Sequence, residues 1–141
     1  MASNSHYTAK SLPFDTLRET TRSRTALPEY AVSKLCNILF TKELARGAGK
    51  GVTSYALHPG VIASDIWRTL PWPIRPLATL FMKSTDEGAR TSLHCATSPD
   101  VADHDGRYYD ADTRERHPSR LAQREDLARE LWEKSEAWTK A

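Results

Sequence analysis

Apolar side chains occupy nearly the whole circumference of one segment, residues 29–46. A single polar line interrupts them at positions i, i+4, i+7 and i+11, a spacing that belongs to one helix face. This line consists of Tyr30, Lys34, Asn37 and Thr41. Because a helix that is apolar on its remaining sides is buried on several of them, the pattern predicts a buried helix over 29–46. Pro28 and Glu29 are typical of a helix N-terminus.

Strand and helix signals alternate along the rest of the chain. β-Branched and aromatic residues predict a short strand over 52–57, and 106–110 is predicted as a second short strand. A capping box at 84–87 predicts a helix that runs to about Ala96, and an amphipathic pattern predicts a last helix over about 124–138. This alternation predicts an α/β fold with parallel strands.

Two stretches lack a sustained period. Residues 1–27 are polar and are predicted as loop, with at most one helical turn around 16–21. Residues 61–83 mix large apolar side chains with prolines, which predicts broken short helices. No repeat or linker divides the chain, so we expect 1–141 to form one unit.

Composition excludes several classes of protein. The 141 residues are 39% hydrophobic and 27% charged, as in a globular protein. The net charge is +2 and the basic residues do not cluster in any one segment, which argues against nucleic acid as a partner. No apolar run approaches the ~20 residues of a membrane span, and the N-terminus lacks a signal peptide, so we expect a cytoplasmic protein with no transmembrane segment. The five histidines and two cysteines lack metal-ligand spacing, and no metal site is predicted.

The segment Tyr30-Ala31-Val32-Ser33-Lys34 carries the most specific chemistry. A helix brings the two outer residues to one face, one turn apart. An ammonium near a phenol stabilises the phenolate, and a phenol in that setting passes protons to and from a substrate oxygen. The alternative is an incidental pair of neighbours on a helix.

The chain resembles the C-terminal half of a short-chain dehydrogenase/reductase, in the retinol-dehydrogenase-like branch. The family's YxxxK motif matches Tyr30 and Lys34, and the helix continues as Leu35-Cys36-Asn37-Ile38-Leu39-Phe40. Further matches follow in the family's order along the chain. They are 56–61 (Ala-Leu-His-Pro-Gly-Val), 87–89 (Glu-Gly-Ala), 106–109 (Gly-Arg-Tyr-Tyr), 121–123 (Leu-Ala-Gln) and 131–132 (Leu-Trp).

The resemblance implies a role for each matching residue. Tyr30 would be the catalytic acid/base, and Lys34 would bind the nicotinamide ribose. The segment Ala2-Ser3-Asn4-Ser5-His6 is similar to the one that carries the family's serine, so Ser3 would hydrogen-bond the substrate carbonyl, with Ser5 as the rival and a surface serine as the alternative. The cofactor-binding residues would be Tyr30, Lys34, Pro59, Gly60 and Ser64.

The family's TGxxxGxG loop, which holds the dinucleotide pyrophosphate, does not occur in these residues. The expected fold is therefore the C-terminal part of a Rossmann-like doubly wound parallel sheet, lacking the N-terminal βαβ units. We expect no measurable NADH or NADPH binding by the 141 residues alone, because loss of the pyrophosphate site would weaken a micromolar affinity to about millimolar or worse. We also expect the apolar surface of Leu35–Leu44 to stay exposed for want of its sheet.

Two functions follow from the resemblance. The first is an NAD- or NADP-dependent oxidoreductase that acts on a small lipophilic alcohol or ketone, because the apolar stretch 67–82 matches a region that borders the family's substrate pocket. Plain core packing is the alternative for that stretch. The second is a non-catalytic remnant that binds a partner, or a second copy of itself as a homodimer, through the Tyr30 helix.

Overall fold

The structure, a computed structural model, describes residues 1–47, 49, 51–62 and 84–140. Within these residues, three α-helices accompany two short β-strands. In chain order they are α1 (Leu27–Gly47), β1 (Tyr55–Leu57), α2 (Thr85–Thr97), β2 (Arg107–Tyr109) and α3 (Glu125–Thr139). No helix in this part of the chain is both long and apolar enough to cross a bilayer.

The two strands pair in parallel, with Tyr55 opposite Arg107 and Leu57 opposite Tyr109. The α/β class and the parallel arrangement predicted from the sequence are therefore confirmed. Each strand spans three residues and is shorter than its predicted segment, because the flanking backbone bonds to other parts of the chain. An example is the Ser54 N–H, which donates to the Asp105 carboxylate at 2.8 Å.

Both outer edges of the strand pair are engaged by other residues. On the β1 side, the Ala2 N–H donates to the Leu57 carbonyl at 2.7 Å. On the β2 side, Glu115 forms an antiparallel bridge with Tyr109. The first residues of the chain and the segment after β2 thus flank the sheet.

Helix α1 occupies the predicted segment and is buried as predicted. It packs against α3, the turn at Asn4–Thr8 and both strands. Leu35, Ile38 and Leu39 have no solvent exposure.

The expectation that the apolar surface of Leu35–Leu44 stays exposed is wrong for these three side chains. Ala128 and Leu131 of α3 belong to the same buried cluster. Phe40 is 45% exposed, and its ring stacks on Trp132 of α3 with 5.0 Å between the centroids. The helix from the end of the chain covers much of the surface that the missing sheet was expected to leave open.

The start of α2 is built as the sequence predicts. The Ser84 hydroxyl accepts from the Glu87 N–H at 3.2 Å, and the Glu87 carboxylate accepts from the Ser84 N–H at 2.9 Å. These bonds satisfy amide groups that have no partner within the helix.

The N-terminal stretch differs in detail from the predicted loop. It contains two short 3₁₀ turns, Asn4–Thr8 and Phe14–Thr16, and the second lies earlier than the predicted turn at 16–21. The broken helices predicted over 61–83 lie outside the described residues, apart from 61 and 62.

Candidate functional site

Tyr30 and Lys34 lie on successive turns near the N-terminus of α1. The Lys34 Nζ is 5.1 Å from the centre of the Tyr30 ring, which is cation–π distance. Tyr30 is 44% exposed. Within the described part of the chain, neither the Tyr30 hydroxyl nor the Lys34 ammonium has a hydrogen-bond partner, so both groups are free to meet a ligand.

Two features fix the helix end that carries Tyr30. Ala26 adopts a left-handed conformation, with φ of 57°, and its carbonyl accepts the Tyr30 N–H at 2.9 Å. The Glu29 carboxylate accepts the backbone N–H groups of Arg22 at 3.2 Å and Ser23 at 2.9 Å. The hydrogen bonds from the Ser23 hydroxyl and amide lower the pKa of Glu29 to about 2. The approach to α1 is therefore tied to its first turn by an ionised carboxylate.

Contacts between α1 and the sheet show which way the chain start runs. The Ser54 hydroxyl, just before β1, donates to the Thr41 carbonyl at 2.9 Å. At the other end of β1, Leu57 pairs with Ala2, and the Asn37 side chain donates to the Met1 carbonyl at 2.9 Å. Strand β1 therefore runs antiparallel to α1, so that its carboxyl end lies toward the N-terminal half of the helix.

Ser3, the predicted catalytic serine, directly follows the two residues that make these contacts. Ser3 is 9% exposed and caps the turn at Asn4–Thr8, where its hydroxyl accepts the Ser5 N–H at 3.2 Å. The rival Ser5 hydroxyl is 3.2 Å from that of Ser3. Ser3 follows Ala2, which bonds to the end of β1, and the turn that Ser3 caps packs against α1.

Pro59 and Gly60 follow β1 at the same edge of the sheet. Pro59 is buried and Gly60 is half-buried, with φ of 94°. Glycine adopts this conformation without strain, and it lets a backbone come close to a ligand. Ser64 lies outside the described residues. Pro59 and Gly60 thus follow the carboxyl end of β1, the edge at which open α/β sheets bind ligands. Ala2, the residue before Ser3, bonds to Leu57 at the same end of the strand.

Tyr30 also lines a cleft of about 710 Å³ between α1, α3 and residues 13–22. Its apolar lining comes from side chains of all three parts. They include Leu17, Val32, Cys36, Leu131 and Trp138. Cys36 is half-buried in this wall, and burial raises the pKa of its thiol to about 11.

Sequence reasoning assigned no role to His6, although it stands in the same segment as Ser3. Its ring is completely buried, with Nδ1 at 2.6 Å from the Ser3 carbonyl and Nε2 at 3.1 Å from the Ser119 amide. The only local feature that could have pointed to His6 was its position three residues after a candidate serine. Its second partner lies 113 positions away, so no local pattern could identify it.

Asn37 was assigned to the polar line of α1 without a function. Its contact with the Met1 carbonyl now explains why an amide stands there, since it anchors the chain just before Ser3.

The chain was compared with known proteins. No family model matches it. It is 45% identical to retinol dehydrogenase 12 of Mus musculus over 109 residues, which are 73% of this chain and 33% of that protein. It is 38% identical to the Homo sapiens protein of that name over 135 residues, covering 94% of this chain and 42% of the relative. A WW domain-containing oxidoreductase of Pongo abelii is 42% identical over 89% of this chain and 31% of its own length. The chain thus spans well under half the length of these relatives.

A solved structure has the same fold. The crystal structure of an uncharacterized protein from Mycobacterium paratuberculosis superposes with a TM-score of 0.67 at 25% identity. The match covers 99% of this chain and 48% of the other. Nearly all of this chain therefore has a counterpart in about half of a larger protein.

Proposed function

Because this chain belongs to the short-chain dehydrogenase/reductase family, in its retinol-dehydrogenase-like branch, we propose that it contributes the proton-transferring part of an NAD- or NADP-dependent oxidoreductase. The substrate is an alcohol or the corresponding carbonyl compound. Its α/β fold is a partial Rossmann-like fold. The observation that carries the proposal is the free phenol of Tyr30 beside the free ammonium of Lys34.

The residues at the carboxyl edge of β1 fit the nicotinamide end of a cofactor. Lys34, on α1, offers an ammonium that hydrogen-bonds to no described residue, and its donors suit ribose hydroxyls. At Gly60, the positive φ and the lack of a side chain suit a close approach of the backbone to a flat ring. When bound, the nicotinamide supplies or accepts the hydride.

The Tyr30 hydroxyl then moves the proton. In carbonyl reduction it donates to the substrate oxygen, and in alcohol oxidation it accepts the proton from that oxygen. The Lys34 charge near the ring stabilises the phenolate left when the proton departs. The Ser3 hydroxyl donates a hydrogen bond to the same substrate oxygen and orients it.

The cleft beside Tyr30 supports a lipophilic substrate. Its volume is in the range of small-molecule sites. Leu17, Leu131 and Trp138 give it apolar surface beside polar and charged residues of 16–22 and α1. The stretch 67–82, from which the sequence predicts the same substrate class, lies outside the described residues. A cytoplasmic location, a homodimer through the Tyr30 helix and the non-catalytic alternative stay predictions.

Binding at the nicotinamide end can be tested on the 141-residue chain. We expect nicotinamide mononucleotide at millimolar concentration to shift the NMR signals of the Lys34 and Gly60 amides. Lys34→Ala should abolish these shifts, whereas Lys10→Ala, which removes an exposed lysine elsewhere, should leave them intact. Shifts that are absent, or that persist in Lys34→Ala, would overturn the assignment of this site.

Proton transfer can be tested in a chimera in which these residues replace the matching part of mouse retinol dehydrogenase 12, which is 45% identical to them over 109 residues. General acid–base catalysis contributes about 10²–10⁴-fold to a rate. We therefore expect Tyr30→Phe to lower kcat for an aliphatic alcohol by at least about 100-fold, with Lys10→Ala unchanged. An active chimera that keeps its kcat after Tyr30→Phe would refute the proposed chemistry.

A further inference from the structure

His6 links two distant parts of the backbone through both of its ring nitrogens. The imidazole is completely buried in the turn at Asn4–Thr8. Nδ1 lies 2.6 Å from the carbonyl oxygen of Ser3, and Nε2 lies 3.1 Å from the backbone nitrogen of Ser119. The bond to Ser3 is buried, and the bond from Ser119 is partly buried.

The chemistry of these partners specifies one form of the ring. A backbone N–H only donates, so Nε2 must accept the hydrogen bond from Ser119 and carries no proton. A carbonyl only accepts, so Nδ1 must carry the proton and donate it to Ser3. His6 is therefore the neutral Nδ1–H tautomer, because a proton on Nε2 would face the Ser119 N–H.

Other side chains hold the same turn against the same region. The Tyr7 hydroxyl donates to the His117 carbonyl at 2.7 Å, and the Tyr108 hydroxyl donates to the Asn4 side chain at 2.7 Å. The rings of Tyr7 and Tyr108 lie 4.0 and 5.1 Å from the imidazole. The turn after Ser3 is thus fastened to β2 and to residues 117–119.

We propose that His6 is a positioning residue for the Ser3 hydroxyl: its neutral ring ties the Ser3 carbonyl to the Ser119 amide and so sets the turn that presents this hydroxyl to the substrate oxygen. The role of Ser3 rests on the proposed function. The tie itself rests on the two hydrogen bonds alone. His6 touches no substrate and acts through Ser3.

The tie holds only while the ring is neutral. Burial lowers the pKa of His6 below its ordinary 6.5, and the bond to the Ser3 carbonyl opposes this effect in part. A pKa lowered by folding means that the unfolded chain binds the proton more readily. The stability contributed by neutral His6 is therefore fully present above pH 6.5 and is lost as the pH falls toward its folded pKa.

Several titratable or charged groups approach this end of the molecule. Tyr108 comes from β2, and Arg116 and His117 precede Ser119. None of them, nor Tyr7 on the same turn, contributes to the pKa shift of His6, which comes from burial and the Ser3 carbonyl.

The ring state can be read by NMR on the full 141-residue chain. At pH 7 we expect the ¹⁵N signals of His6 to show protonated Nδ1 and unprotonated Nε2, and we expect the ring to be still mostly neutral at pH 6.5. An Nε2–H tautomer, or a ring half protonated at pH 6.5, would overturn the proposal. Both outcomes can be read without any variant.

Amide hydrogen exchange tests the Nε2 bond to Ser119 and the Nδ1 bond to Ser3 separately. His6→Asn keeps a donor near the Nδ1 position but loses the Nε2 acceptor, so we expect the Ser119 amide to exchange about tenfold faster. His6→Gln keeps an acceptor near Nε2 but loses the Nδ1 donor. In that variant the Ser5 amide, which reports the Ser3 hydroxyl, should exchange about tenfold faster.

A matched control is His117→Asn, which changes an exposed histidine in the neighbouring segment and should leave both amides within about twofold of wild type. If His6→Asn and His6→Gln also leave both amides within twofold, the tie does not set the turn and the proposal fails. These measurements need neither cofactor nor turnover. A failure of the Tyr30→Phe prediction would therefore count against the proposed function and not against the tie.

Discussion

Replacing Leu39 with alanine tests whether α1 is buried by the chain's own elements. The side chain has no solvent exposure and belongs to the cluster that joins α1 to α3. The substitution removes three carbons, which correspond to about 2.4 kcal/mol of transfer free energy at ~0.8 kcal/mol per methylene. The cavity left behind adds to this, and buried Leu→Ala changes range over about 2.7–5.0 kcal/mol.

We therefore expect the free energy of unfolding to fall by about 3 kcal/mol. In a domain of this size, 1 kcal/mol changes Tm by roughly 4 °C, so the melting temperature should fall by about 12 °C. The assay is thermal unfolding followed by circular dichroism at several protein concentrations. The matched control is Leu93→Ala on α2, because Leu93 is 60% exposed and surface changes stay within about 0.5 kcal/mol.

One result would refute the reasoning. If Leu39→Ala and Leu93→Ala melt within about 2 °C of each other, Leu39 is not enclosed by α3 and the N-terminal turn. The surface expected to be exposed from the sequence would then be exposed in solution.

Three further predictions concern local structure. Ala26→Gly should raise the free energy of unfolding by up to about 1 kcal/mol in thermal melts, because Ala26 has φ of 57° and glycine adopts that region without strain; a fall would contradict this. Glu29 has a folded pKa of about 2 against 4.5 unfolded, so its contribution is present above pH 4.5 and lost as the pH falls toward 2. Amide exchange at Ser23 should accelerate over that window in wild type, but show no such dependence in Glu29→Gln. Ser84→Ala removes the cap of α2 and should lower stability by about 1 kcal/mol, whereas an unchanged Tm would show that the cap is not formed.

Local sequence patterns were sufficient to predict the three helices of the described residues. The capping box at Ser84 and the single polar line along α1 each depend on residues three or four positions apart, and both features occur where predicted. The placement of Tyr30 beside Lys34 follows from the same spacing.

Packing between distant segments could not be derived in this way. Hydrophobic periodicity shows that α3 has an apolar face, but not that this face covers Leu35 and Leu39 of α1. The length of a strand is likewise decided by its partners, because Ser54 bonds to Asp105 and Thr41 and so does not extend β1.

The sequence separations of the contacts around Ser3 determine when that part of the molecule can form. The bonds from Tyr108 to Asn4, from Tyr7 to His117 and from Ser119 to His6 span 104, 110 and 113 positions. The entropy of closing such long loops must be overcome before the contacts stabilise anything, and non-local contacts slow folding. During synthesis α1 can form early, whereas the turn after Ser3 has to wait until residue 119 has left the ribosome. Among residues 1–141, the turn after Ser3 is thus among the last parts to reach its native position.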